Sequence, residues 1–130
     1  MIVDSSALIA IVTKEKDGPA LARKIDEAAR VSMSAATYLE TAIVLDKPRD
    51  PARSARLDEL ILDLEMVIEP VTFEQARIAR QAYRDYGKGS GHPANLNFGD
   101  CFSYALAREK REPILYKGVD FVHTDLRSAV

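Results

Sequence analysis

Short apolar segments that alternate with longer helical segments are the feature that most limits how this chain can fold. Apolar runs at residues 1–4, 31–33, 66–71 and 113–116 have the lengths of strands. Parallel strands are joined by long crossovers, which are usually helical, so this alternation predicts a mostly parallel sheet covered on both faces. We therefore expect an α/β fold, a three-layer α/β/α sandwich around a short central sheet.

Helix-starting residues divide the rest of the chain into six helices. These signals are Ser5 or Ser6, Gly18 with Pro19, Ser34, Asp50 with Pro51, Thr72 in a capping box with Gln75, and Gly99 with Asp100. The glycine-rich stretch 87–98 contains no helix or strand signal. We expect it to be the longest loop.

Length and charge bound the class of protein. The 130 residues, 47% of them apolar, are enough for one hydrophobic core, and we expect a single domain over residues 1–130. A net charge of −2 gives no overall basic field. Any nucleic-acid contact must therefore come from a local patch.

Cysteine content and hydropathy indicate the cellular compartment in which we expect the protein. Cys101 is the only cysteine, which excludes an internal disulfide framework and thiolate-rich metal sites, and this usage fits a reducing cytoplasm. No stretch reaches the roughly 18 apolar residues of a membrane span. We expect a cytoplasmic protein without a membrane partner.

Acidic residues stand at positions that favour a common site. Asp4 follows the first strand and Asp120 follows the last, and strand carboxyl ends are where parallel sheets bind ligands. Asp100 lies in the first turn of the sixth helix, whose free N–H groups favour anions. Glu40, in the third helix, lies near the inward face between apolar neighbours.

Four carboxylates in one crevice would repel one another unless a cation neutralised them. Hard oxygen ligands select Mg²⁺ or Mn²⁺. The acids therefore predict a metal site, although each has a local alternative as a helix cap, a solvated helix charge or a turn former.

Four segments carry a family resemblance. MIVDSSALIAI, TYLETAIVL, LNFGDCFSYALA and ILYKGVDFVHTD resemble the four acidic motifs of PIN domains, most closely those of VapC toxins from toxin–antitoxin pairs. The motif acids correspond to Asp4, Glu40, Asp100 and Asp120. The resemblance implies a PIN-like nuclease, a Mg²⁺- or Mn²⁺-dependent endoribonuclease that cuts single-stranded or structured RNA as a homodimer and is silenced by a VapB-like antitoxin.

In this interpretation Asp4 and Asp100 are direct metal ligands. Glu40 and Asp120 complete a second metal position or bind through water. Metal held by carboxylates can orient a water and neutralise the phosphate during in-line attack, which leaves 5′-phosphate and 3′-hydroxyl ends. Many PIN domains carry Thr or Asn shortly before the fourth acid, where this chain has Lys117 and Gly118, and Asp125 is a rival fourth acid.

Other polar residues are either open to two interpretations or are expected to play no part in catalysis. Ser6 either caps the first helix or bonds Asp4, and Lys117 either contacts the scissile phosphate or is a solvated turn residue. We expect no catalytic role for His92, His123 or Cys101. Candidate phosphate contacts, for which scattered surface charge is the commoner explanation, are Arg49, Arg53, Arg56, Lys88, Lys110, Arg111 and Lys117.

Two other functions are excluded because the chain lacks a residue that each requires after the first strand. A haloacid dehalogenase-type phosphatase needs a second acid two residues after Asp4, where Ser6 stands, and a dinucleotide-binding enzyme needs a glycine-rich turn there. A non-catalytic PIN-like module that binds RNA or protein remains as the alternative.

Overall fold

The computed structural model describes residues 1–130, which form four strands and six helices. In chain order the elements are β1 (Ile2–Val3), α1 (Ser5–Val12), α2 (Gly18–Asp26), β2 (Ser32–Ser34), α3 (Ala35–Asp46), α4 (Pro51–Asp63), β3 (Val67–Glu69), α5 (Phe73–Tyr86), α6 (Phe98–Lys110) and β4 (Ile114–Leu115). None of the helices has the length and apolar composition that crossing a bilayer requires.

The sheet is parallel throughout, with strand order β3-β2-β1-β4. Ile2 on β1 pairs with Ser32 on one side and with Ile114 on the other. The chain builds outward from β1 to β3 and then crosses to the opposite side of β1 to form β4. Such a reversal of strand order opens a crevice at the carboxyl ends of the two strands concerned, here β1 and β4.

Two hydrophobic cores lie on the two faces of the sheet. Val3 and Leu115 belong to a cluster of 13 buried residues packed with α1 to α4. Ile2 and Ile114, one position earlier on each strand, belong to a cluster of 11 residues packed with α5 and α6. Side chains of consecutive strand residues point to opposite faces, so even two-residue strands supply both cores.

The predicted α/β fold with helices on both faces is confirmed, whereas several predicted boundaries are wrong. The strands span two or three residues, fewer than expected, because flanking residues cap helices or leave the sheet. The cap of α1 is Asp4 and not Ser5 or Ser6. The cap of α6 is Asn97, so this helix begins at Phe98, before the predicted Gly99. Thr72 accepts from Gln75 N, one half of the predicted capping box.

Candidate active site

Asp4 stands where β1 ends and α1 begins, and its carboxylate is only 2% exposed. One of its oxygens, Oδ2, accepts from the backbone N of Ser6 at 3.0 Å and from Ser6 Oγ at 2.7 Å. The side chain therefore caps α1 and is held in one orientation at the same time. Ser6, for which capping and bonding to Asp4 were the two interpretations, bonds to Asp4.

Ser6 also joins the carboxyl ends of β1 and β4. Its Oγ accepts from the backbone N of Lys117, just beyond β4, at 3.0 Å. The backbone N of Asp4 donates to the carbonyl of Leu115 at 2.9 Å, extending the pairing of the two strands. These bonds hold Asp4 at the carboxyl ends of β1 and β4, where the strand order reverses.

The second oxygen of Asp4 is held by Ser103 of α6, whose Oγ donates to Asp4 Oδ1 at 2.6 Å. Thr37 Oγ1 on α3 lies 3.1 Å from Ser103 Oγ. Because the only hydroxyl proton of Ser103 is directed to Asp4, Thr37 is the donor in this second bond. Neither residue was predicted from the sequence, although Ser103 follows Asp100 by about one helical turn, a spacing that places both on one face.

Asp100 is fixed by a reciprocal pair of hydrogen bonds at the start of α6. Its backbone N donates to Asn97 Oδ1, and the backbone N of Asn97 donates to Asp100 Oδ2, each at 2.9 Å. This capping box satisfies two N–H groups that the helix leaves unpaired. Asn97 was not predicted, although an Asn followed three residues later by Asp has the pattern of such a box.

Burial raises the pKa of Asp100 to about 7, although the bond from Asn97 N acts in the opposite direction. The negative charges of Asp4, Asp120 and Glu40 raise this pKa further. The charges of the other three predicted acids therefore reach Asp100, a residue that is only 8% exposed. A cation near Asp100 would relieve both the repulsion and part of the desolvation.

Glu40 reaches this region from the middle of α3. Ser5 Oγ donates to Glu40 Oε1 at 2.6 Å, and Glu40 Oε2 occupies the space beside the bare Cα of Gly99. A Cβ at Gly99 would lie 1.7 Å from that oxygen, far inside van der Waals contact. Glycine at position 99 thus allows the Glu40 carboxylate to approach the residue next to Asp100.

Of the two candidates for the fourth acid, Asp120 is exposed, lies in the turns after β4, and contributes to the pKa of Asp100. Asp125 accepts from Tyr104 OH at 2.6 Å and forms an ion pair with Arg108. Its charge is partly compensated there, and burial together with this bond raises the pKa of Tyr104. The geometry favours Asp120 over Asp125.

Lys117, a candidate phosphate contact, forms ion pairs with Glu15 and Asp17. The bond from Lys117 lowers the pKa of Glu15, and the same bond raises the pKa of Lys117. The ammonium group of Lys117 is therefore already paired with carboxylates of the chain itself. This environment matches neither of the two interpretations, a phosphate contact or a freely solvated turn residue.

Cys101 and His92, for which we expect no catalytic role, are both held in local packing or hydrogen bonding. Burial raises the pKa of Cys101 to about 11, aided by the negative charge of Asp100, so its thiol is a poor nucleophile. His92 Nδ1 accepts from Ala94 N at 3.1 Å within the loop, and its ring packs edge-on against Tyr86.

The acids differ in how well they fit a metal ion. Their donor set consists only of carboxylate oxygens, which suits Mg²⁺ or Mn²⁺, and the buried charge at Asp100 is the kind that a cation stabilises. No group of three or more acidic, histidine or cysteine side chains is, however, close enough to form a ready-made ligand set. The chemistry of the site fits a divalent cation, with some ligands bound through water or drawn in on binding.

Comparison with known families places this geometry in a class. The PIN domain family matches residues 1–126. The chain belongs to the PIN-domain family.

Within that family, similar proteins are named VapC ribonucleases. A VapC ribonuclease of Mycobacterium bovis and ribonuclease VapC28 of Mycobacterium tuberculosis are each 58% identical over 130 residues, covering 100% of this chain and 98% of the relative. A VapC ribonuclease of Mycolicibacterium smegmatis is 44% identical over 97% of both chains. The resemblance predicted from the four motifs is confirmed.

Solved structures share the fold at low identity. Mycobacterium tuberculosis VapC20, a toxin that cleaves the sarcin-ricin loop, has a TM-score of 0.75 at 20% identity, over 96% of this chain and 95% of that one. A toxin–antitoxin complex from Klebsiella pneumoniae matches with a TM-score of 0.71 at 15% identity, over 95% and 92%. The PIN-type α/β fold is therefore supported independently of close sequence similarity.

Proposed function

We propose that residues 1–130 act as one nuclease domain, a divalent-metal-dependent endoribonuclease that hydrolyses RNA phosphodiester bonds as the toxin of a toxin–antitoxin pair. The observation that carries this proposal is the placement of Asp4, Glu40 and Asp120 close enough to the buried Asp100 for their charges to raise its pKa. Full-length relatives named VapC ribonucleases support the same assignment. RNA as the substrate supports action in the cytoplasm.

Asp4 and Asp100 are proposed as direct ligands of Mg²⁺ or Mn²⁺, with Glu40 and Asp120 at a second position or bound through water. Their burial supports this ranking, since Asp4 is 2% and Asp100 8% exposed while Asp120 is exposed. A bound divalent cation would supply positive charge that offsets the charge developing on the phosphate and increases the acidity of a water.

The chain's own residues hold the carboxylates for this task. Ser6 and Ser103 each bond one oxygen of Asp4, which fixes the plane of that carboxylate. Ser5 holds Glu40, and Asn97 holds Asp100. Lone pairs remain for a cation on Asp4 Oδ1, Glu40 Oε2 and Asp100 Oδ1, whereas Asp4 Oδ2 already accepts two hydrogen bonds. Such supporting bonds commonly change metal affinity or activity by about 10- to 100-fold.

A VapB-like antitoxin and a second copy of the chain are proposed as partners. The relatives carry the name VapC. A toxin–antitoxin complex from Klebsiella pneumoniae shares the fold. Co-purification with the product of a short neighbouring reading frame would test the first partner, and sedimentation velocity of the purified chain would test the second.

One observation favours a second candidate function, a non-catalytic module that binds RNA or protein. No three potential ligands are preassembled for a metal. In that case the acids would serve only as caps and turn residues, and a divalent cation would neither bind at the site nor change the fate of RNA.

RNA cleavage with and without a chelator separates the two candidates. We expect the purified chain to cut RNA in Mg²⁺ or Mn²⁺, to stop in EDTA, and to leave 5′-phosphate ends. Asp4→Asn and Asp100→Asn should each reduce cleavage by at least about 100-fold, because each removes a buried ligand charge.

The matched control is Asp58→Asn, which changes one exposed acid on α4. It should cleave like the unmodified chain. Cleavage that survives both Asp4→Asn and Asp100→Asn would refute the proposed site, and absence of metal-dependent cleavage by the unmodified chain would favour the binding module. Comparing Asp120→Asn with Asp125→Asn then identifies the fourth acid, and we expect only the former to lose activity.

A further inference from the structure

An open groove of about 450 Å³ lies between α5 and α6, on the side of α6 that also carries Phe98. Its floor is apolar, formed by Ala76, Ala79 and Phe102, and its walls include Tyr83. Large apolar side chains left exposed in one place commonly mark a binding surface. We name this surface, defined by Arg80, Tyr83, Arg84, Phe98 and Phe102, the aromatic groove.

Phe98 is the most prominent of these side chains, because it is 79% exposed although it is the first residue of a helix in a well-packed protein. Its ring meets the ring of Phe102 edge-on, with centroids 5.0 Å apart and planes at 90°. Tyr83, on the facing helix, is 46% exposed. Aromatic rings are therefore presented to solvent from both walls of the groove.

Two arginines border the same rings. Arg80 and Arg84 both line the groove, are exposed, and have no acidic side chain within ion-pair distance. Arg77, one turn before Arg80 on α5, is paired with Glu74. The chain as a whole carries a net charge of −2, so this uncompensated positive charge is local. It is complementary to a polyanion.

The aromatic groove and the acid cluster both involve the first turn of α6, on different sides of that helix. Phe98 is followed by Gly99, against which Glu40 packs, and then by Asp100. Successive helical residues are rotated by about 100°, so Phe98 and Asp100 point to nearly opposite sides of α6. A chain-like ligand in the aromatic groove would reach the carboxylates by passing over the start of this helix.

We propose that the aromatic groove binds the single-stranded RNA substrate next to the cleavage site, with bases stacked on Phe98 and Tyr83 and phosphates held by Arg80 and Arg84. This inference rests on the proposed ribonuclease function and names the form of RNA that the site takes. Aromatic rings beside arginines bind single strands because unpaired bases expose their faces, whereas bases in a duplex do not.

Binding measured without cleavage tests the proposal. The full chain is titrated in EDTA with a fluorescein-labelled oligoadenylate of about ten nucleotides, and fluorescence anisotropy gives Kd. We expect Phe98→Ala to raise Kd about tenfold through loss of stacking, and Phe98→Tyr to restore it to within about threefold.

Phe73→Ala is the matched control. Phe73 is also the first residue of a helix and is 81% exposed, but it does not line the groove. Its replacement should leave Kd unchanged within about twofold. Equal effects of Phe98→Ala and Phe73→Ala would overturn the proposal.

The charge contribution is tested by salt dependence. Replacing Arg80 and Arg84 by Gln should reduce the slope of log Kd against log salt by about 1.4, because each phosphate of a single strand that a cation neutralises contributes about 0.7 to that slope. The control replaces Arg23 and Lys24, two exposed residues of α2 that form no ion pair, by Gln. It makes the same change in net charge and should leave the slope unchanged.

Further outcomes would also overturn the groove as an RNA site. These are absence of oligoadenylate binding by the unmodified chain, duplex RNA binding as tightly as the single strand, or a Phe98→Ala variant that changes oligomeric state in sedimentation velocity while keeping its RNA affinity. The last result would identify the groove as a protein interface.

Failure of the groove and failure of the ribonuclease proposal are distinguishable. Metal-dependent cleavage together with Phe98→Ala binding normally refutes only the groove. Binding that depends on Phe98 and the two arginines, without any cleavage in Mg²⁺ or Mn²⁺, supports the groove and refutes the nuclease.

Discussion

At the scale of single residues, the pair formed by Gly99 and Glu40 decides whether the third helix contributes to the site. Glu40 Oε2 fills the position where any other residue at 99 would carry its Cβ. The bond from Ser5 Oγ fixes the other carboxylate oxygen. A helix of twelve residues thereby delivers one charge to the neighbourhood of Asp100.

Gly99→Ala is therefore expected to displace Glu40 and to reduce RNA cleavage by about tenfold or more. The loss of stability should be at most about 1 kcal/mol, because the carboxylate is the end of a flexible side chain and gives up only its bond from Ser5. Cleavage rates and urea unfolding measure the two effects. A Gly99→Ala variant with unchanged activity and stability would show that Glu40 moves away freely.

A double-mutant cycle supplies the control for this prediction. In a Glu40→Ala background the added methyl group meets no carboxylate, so Gly99→Ala should cost little stability or even increase it, because alanine is the better helix former. An undiminished cost in that background would trace the effect to the backbone and not to Glu40.

At the scale of elements, α6 carries more of the site than any other helix or strand. Asn97 caps it, Asp100 lies in its first turn, and Ser103 holds Asp4 from the following turn. Phe98 and Phe102 on the same helix line the aromatic groove. The position of its first turn would therefore affect the proposed metal ligation and the proposed RNA binding together.

Asn97→Ala should lower the free energy of unfolding by about 1 kcal/mol through loss of the cap. It should also reduce cleavage more than this small loss of stability explains, because the backbone N of Asp100 loses its bond to Asn97 Oδ1, which helps to position the residue. Guanidinium unfolding and cleavage at a temperature well below Tm measure the two effects.

Asn97→Ser retains a capping oxygen, so it should keep most of both properties. Equal activity of the alanine and serine variants would contradict a positioning role for the cap.

At the scale of the whole molecule, the parallel sheet forces negative charges together at one end. The crossover from β3 to β4 brings the turns after β4 next to the end of β1, so Asp120 and Asp4 come near Asp100. The metal-free protein bears the cost of that charge in its stability. The raised pKa of Asp100 gives this cost a definite pH dependence.

For an acid whose pKa rises from 3.8 in the unfolded chain to about 7 in the folded one, the folded state binds the proton more tightly. Its contribution to stability is complete below about pH 4, falls as the pH rises, and is lost above about pH 7. Urea unfolding in EDTA should show this fall, on the order of 2 kcal/mol after allowance for solvent near the carboxyl.

Asp100→Asn should flatten the dependence between those pH values, since asparagine can still accept from Asn97 N but does not titrate. Asp58→Asn, at an exposed position, should leave it unchanged. Identical pH profiles for the Asp100→Asn variant and the unmodified chain would disprove the assignment.

The sequence by itself determined the kinds of elements, the parallel sheet, the positions of Asp4 and Asp120 after strands and that of Asp100 in the first turn of a helix. These follow from local periodicity, caps and the rule that parallel strands end at one edge. It also carried the four motifs of the family. Helix starts such as Asn97 were misplaced by two residues or fewer, because neighbouring residues compete for the same cap.

Only the tertiary structure decided which distant side chains meet. In sequence, Ser103 is 99 residues from Asp4 and Ser5 is 35 residues from Glu40, yet each pair is hydrogen-bonded. The two arginines of α5 and the phenylalanines of α6 line one groove although a long loop separates the two helices in sequence. The rotation and separation of packed helices set those contacts, and they depend on how two cores fill the opposite faces of the sheet. No local pattern in the sequence encodes that packing.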